Sequence, residues 1–200
     1  MRLQTKQFLR GLGLAALGLL AATAHAHTGH GTSGLAEGLA HPLGTDHQLA
    51  MLAVGVWSVS ALPAGKAWWG PAVFMLSLIV SAALGAVGVS VPYLEQMISL
   101  SVVLFGVMLV LSRQPLPHTI GLGLVAMAAS LHGLAHGAET PATGFVAYAA
   151  GFMATTAALH FGGVATGLSL RKLLAEKTTW AMAALGTLCG GAGLYLFGQL

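Results

Sequence analysis

Six long apolar segments, separated by short breaks, constrain this chain more than any other feature. They cover about residues 35–61, 70–90, 94–112, 118–137, 143–168 and 178–198. Each meets or slightly exceeds the roughly 17–25 residues that a helix needs to cross a bilayer. The runs are continuously apolar rather than alternating, which argues against barrel strands. Pro63, Pro71, Pro92, Pro115, Pro117 and Pro141 stand in or beside the breaks, as expected where helices end. Only 6% of the 200 residues are charged, against roughly 25% in an ordinary soluble domain. The sequence therefore predicts an all-α membrane protein, with residues 27–200 forming a single bundle of six transmembrane helices.

Residues 1–26 read as a Sec-type signal peptide. Arg2, Lys6 and Arg10 form a basic region, Gly11 to Thr23 an apolar one, and Ala24-His25-Ala26 an A-x-A cleavage site. The eight basic residues lose three with the signal, leaving five against five acids and no net charge. Nothing in the mature chain then favours a nucleic-acid partner; its surroundings are the lipid bilayer. Cleavage places the new N-terminus outside the inner membrane. Lys66, Arg113, Arg171, Lys172 and Lys177 then all fall in cytoplasmic loops, as the positive-inside rule requires. Both mature termini are expected in the periplasm. The topology also permits two inverted three-helix halves, although their sequences do not align convincingly.

Ionisable residues within spans are costly and usually functional. Span 1 carries His41-Pro-Leu-Gly-Thr-Asp46-His47, span 3 opens with Glu95, and span 4 ends in His132, His136 and Glu139. With the expected orientation these residues occupy the outer half of the membrane. His160 in span 5 lies deeper. His132 and His136 share a helix face, which Glu139 continues. Asp46 and His47 diverge by about 100° on a regular helix. Pro42 and Gly44 can distort this segment and turn His41, Asp46 and His47 toward one cavity.

Imidazole with carboxylate suits a borderline divalent transition metal such as Ni, Co, Zn, Cu(II) or Fe(II). Mg and Ca prefer oxygen shells. His132-x-x-x-His136 has Gly133 where a zinc protease would carry Glu. Haem ligation by facing histidines and hydrogen bonding between helices, the latter for His160 especially, are the competing readings. His27 and His30 lie in a tail that either chelates or is simply solvated. Cys189 is the sole cysteine, so no disulfide or thiolate site forms within one chain. The Gly163-x-x-x-Gly167 and Gly186-x-x-x-Gly190 patterns are weak signals of close helix packing.

The H-x4-D-H element, the following Leu-Ala-Met-Leu-Ala-Val-Gly-Val-Trp run, Glu95 and the His132…His136-Gly-Ala-Glu139 block together resemble the HupE/UreJ family. The first element is also similar to the NiCoT signature. Gln48 departs from the pattern, standing where an apolar residue is expected. The resemblance implies uptake of nickel, or in some members cobalt, that supplies hydrogenase, urease or cobalamin synthesis. It implies essential roles for His41, Asp46 and His47, with Glu95, His132 and Glu139 contributing. No nucleotide-binding motif is present, so transport would be secondary and no enzyme activity is expected. Ni2+ or Co2+ is then cargo rather than a resident cofactor. The alternative is an accessory protein that binds metal without moving it.

Overall fold

The computed structural model describes residues 34–114, 116–141 and 143–200. The expected signal peptide, His27 and His30 lie outside the described residues. Seven α-helices account for most of the rest: α1 (Leu35–Ala40), α2 (Thr45–Ala61), α3 (Trp69–Ala86), α4 (Leu94–Val110), α5 (His118–Ala138), α6 (Phe145–Leu174) and α7 (Thr178–Phe197). Single 3-10 turns occupy His41–Leu43 and Ala175–Lys177, and the described residues contain no strand. Among the described residues, three stretches are long and apolar enough to cross a membrane: Trp69–Ala86, His118–Ala138 and Phe145–Phe197, the last embracing α6 and α7. α4 is a shorter apolar helix.

The expected bounds are corrected at three places. Residues 35–61 are not one continuous helix. Pro42 lacks the N–H that an α-helix needs, and Gly44 is extended at φ −57, ψ 144, so the segment breaks into α1, the 3-10 turn and α2. The second span ends at Ala86 rather than near 90. Gly88, at φ 92, lets Gly88 N–H reach Gly85 O and Val89 N–H reach Leu84 O, a Schellman closure. The fifth runs on to Leu174 rather than 168, because Arg171 is itself anchored there: its guanidinium donates to Val59 O at 3.1 Å.

The helices pack as three close pairs. α2 lies parallel to α6, with α1 continuing the contact; α3 lies parallel to α5; α4 lies antiparallel to α7. Glycines set each approach. A Cβ on Gly55 would fall 2.4 Å from His160 O, one on Gly137 would overlap the Ala82 carbonyl, and one on Gly106 would sit 2.6 Å from Gly186 O. Without a hydrophobic drive between helices in lipid, backbone contact of this kind supplies the packing energy. Phe74, Phe105, Met51, Val54 and Val102 fill the centre, all almost completely buried. The α2/α6 and α3/α5 pairs meet at both ends, where Gly70 and Gly121 abut Ser58 and Trp57, and where the His47 and His136 rings touch.

Candidate metal centre

The break in residues 41–44 builds the site. Two carbonyls freed from helical bonding find side-chain partners instead. Thr155 Oγ1 donates to Leu39 O at 2.9 Å, and Gln48 Nε2 donates to Leu43 O. Gln48, which departs from the family pattern, thus braces the turn that carries the motif. α2 restarts with Gln48 N–H bonded to Gly44 O at 2.9 Å. Asp46 occupies its first turn, where the helix dipole favours a carboxylate. Asp46 and His47 do not diverge: Asp46 Oδ2 lies 3.0 Å from His47 Nδ1. This close start of the helix is what a regular-helix projection misses.

α5 supplies the facing groups from its last turns. His136 Nδ1 lies 2.9 Å from His41 Nε2, and His136 Nε2 contacts His47 Nε2. Glu139 Oε2 lies 3.4 Å from His41 Nε2. A continuous chain results: Glu139, His41, His136, His47, Asp46. His41, His136 and Glu139 each offer one ligand atom, all within 4.8 Å of one another. His136 is buried, His41 half-buried and Glu139 open to the exterior, so the group has a mouth.

The aromatic packing extends inward. His47 packs edge-on against His132, with ring centroids 4.7 Å apart, and His132 contacts Phe74 at 5.8 Å. Phe74 in turn lies 4.7 Å from His160. Tyr148 and Phe152 wall His41 at 5.7 and 5.8 Å. The structure therefore brings His41, Asp46, His47, His132, His136 and Glu139 together. His160 joins their ring ladder only through Phe74. Glu95 is exposed in the first turn of α4 and is not one of the three-ligand group. His118 is exposed at the start of α5.

Sequence reasoning missed Ser101 and Phe74, and it noted Gln48 without its bracing role. Ser101 Oγ contacts His132 Nε2 at 2.9 Å from α4. Its only signal in the sequence is a serine inside an apolar run, which hydrogen bonding to its own helix explains equally well.

The fold and the buried imidazole cluster define a membrane protein built around a polar, cation-compatible core. The family profile described as HupE / UreJ protein matches residues 14–196, and the chain belongs to that family. It is 38% identical over 186 residues to "Protein HupE" of Rhizobium leguminosarum bv. viciae, covering 90% of this chain and 94% of the relative. The family's members are membrane transporter or accessory proteins, not enzymes. No solved structure matches the chain.

Proposed function

We infer that this chain is a secondary importer of a divalent transition-metal cation, nickel first and cobalt next, across the inner membrane. The observation that carries the reading is the convergence of His41, His136 and Glu139 within 4.8 Å at a mouth that continues to His47 and Asp46. Two imidazoles and a carboxylate in that space suit Ni2+ or Co2+. His132 extends the path inward. Glu95 stands at the start of α4, where a carboxylate attracts cations to the entrance. Six spans with periplasmic termini orient the mouth outward, and all five cytoplasmic basic residues accord with that orientation.

The electrical driving force is adequate. An inside-negative potential favours entry by about 2.3 kcal/mol per charge per 100 mV, so a dication gains about twice that. Moderate affinity is required, because a tightly held ion would not leave. The break at residues 41–44 gives the site a segment that can shift without unwinding a whole helix.

Radiolabelled nickel and cobalt uptake, in cells lacking other importers, tests the reading. His47→Ala and His136→Ala are expected to abolish accumulation at trace metal. Unchanged uptake in both variants would overturn the site. Stoichiometric binding by purified protein with no flux into proteoliposomes would instead identify an accessory protein of hydrogenase or urease assembly.

A further inference from the structure

The end of the bundle opposite the mouth carries a crevice that the metal centre does not use. α5 begins at His118 and reaches His136 about 27 Å further along its axis. Between its first turns and the far ends of α2 and α4 lies a cavity of about 250 Å3, several times the roughly 30 Å3 that a water molecule occupies. Trp57 of α2, Leu104 and Met108 of α4 and Leu124 of α5 form its apolar depth. Gly121 seats the indole: a Cβ there would fall 2.5 Å from Trp57 Cζ2. Val107, Leu111 and Ile120 also line the cavity and are each about half exposed, so it opens sideways on an apolar flank. α4 packs closely on α7 and only lightly on α5, which leaves this crevice between them.

The crevice is polar at one end only. Ser112, Gln114 and His118 line it where the chain turns from α4 into α5. Ser112 is 6% exposed, and its Oγ is buried without a hydrogen-bond partner, a state that few buried hydroxyls keep. The same end holds the N-terminus of α5. Pro117 is the N-cap residue, no side chain caps the helix, and no acidic residue stands in its first turn. The first N–H groups of a helix have no partner within it, and the dipole there favours an anion. Arg113, exposed and next to both Ser112 and Gln114 in the chain, adds a full positive charge.

We propose that this crevice holds one acidic phospholipid of the surrounding bilayer. An acyl chain lies between α4 and α5 against Trp57, and the phosphate sits at the α5 N-terminus beside Gln114, His118 and Arg113. Ser112 Oγ, where the polar end meets the apolar depth, donates to a glycerol ester carbonyl. Free phosphate would leave the apolar depth unfilled. A zwitterionic headgroup would bring its own cation to an end that is already positive. The position does not rest on the import reading.

The test is native mass spectrometry of the purified full-length chain, released from nanodiscs of equal phosphatidylglycerol and phosphatidylcholine. One phosphatidylglycerol per chain is expected to stay bound after the loosely held lipids have left. Leu104→Trp, which fills the crevice, is expected to lose it. Arg113→Gln, on an exposed turn and so the safer variant to fold, is expected to weaken retention about fivefold, the worth of one basic residue at an anionic surface. The thermal midpoint in detergent is expected to rise with added phosphatidylglycerol and not with inorganic phosphate. Equal retention of the two lipids, or retention of neither, overturns the proposal, as does a Leu104→Trp chain that holds as much lipid as the wild type. If Leu104→Trp does not fold, unchanged retention in Arg113→Gln overturns it. A midpoint raised as far by inorganic phosphate marks an anion site without a chain and overturns it. Dimers free of phospholipid would assign the crevice to a second copy of the chain and overturn it as well.

Discussion

At the residue scale, what matters is which atom of each side chain is already engaged. His47 Nδ1 faces Asp46 at 3.0 Å. A carboxylate only accepts, so the ring donates there and its Nε2 is left for the mouth. Asp46→Asn removes the negative charge and lets an amide rotate its N–H₂ toward the ring. Metal uptake is then expected to fall by about 10–100-fold, measured as initial nickel influx at trace concentration, with chain abundance in the membrane unchanged. Acid should act in the same direction. A protonated imidazole has no lone pair, so metal binding must release protons. Apparent affinity is expected to fall as pH drops from about 7.5 to about 5.5, where histidine ordinarily gains its proton. A flat profile over that range would show that no ligating imidazole gains a proton there. The residue types of the candidate site were legible in the sequence, because ionisable groups within spans are costly and stand out. The supporting roles of Ser101 and Gln48 were not, since a hydroxyl or amide in a helix has many cheaper explanations.

At the scale of the elements, the break in residues 41–44 and the glycine contacts carry the fold. The break, and the turning of His41, Asp46 and His47 toward one cavity, were foreseeable from Pro42 and Gly44, but the partners of each ring were not. Only the path of the chain shows that Asp46 and His47 meet rather than diverge. Glycine patterns were legible as possible contacts, yet 28 glycines make such patterns common, and no local rule says which helix a given one faces. The structure separates them. A Cβ on Gly163 would lie 2.4 Å from Leu52 O and 3.0 Å from Gly55 Cα, whereas one on Gly191 meets nothing within 4 Å. Gly163→Leu is therefore expected to abolish folded yield, because neither obstructing atom belongs to a movable side chain. Gly191→Leu is expected to leave yield and thermal midpoint almost unchanged. Size-exclusion of detergent-solubilised protein and a melting curve decide both. Equal behaviour of the two variants would contradict the α2/α6 contact.

At the scale of the whole molecule, the three pairs have a symmetry that sequence alignment did not reveal. Exchanging α2 with α5, α3 with α6, and α4 with α7 turns the parallel α2/α6 pair into the parallel α5/α3 pair, and turns the antiparallel α4/α7 pair into itself. Helix pairing can repeat while side chains diverge, because pairing depends on a few glycine contacts rather than on matched sequence. His47 on α2 and His136 on α5 meet between the two exchanged halves, which is where inverted-repeat transporters hold their cargo. On the proposed import reading, an ion bound between two bodies is released when they rock apart. The membrane potential then sets the limit of accumulation. At 100 mV a dication gains about 4.6 kcal/mol, enough for a gradient of about 2,000-fold. Proteoliposomes with an imposed potassium-diffusion potential, inside negative and free of ATP, are therefore expected to accumulate nickel, and valinomycin with equal potassium on both sides to stop accumulation above equilibrium. Accumulation that persists without a potential or any ion gradient would overturn potential-driven import.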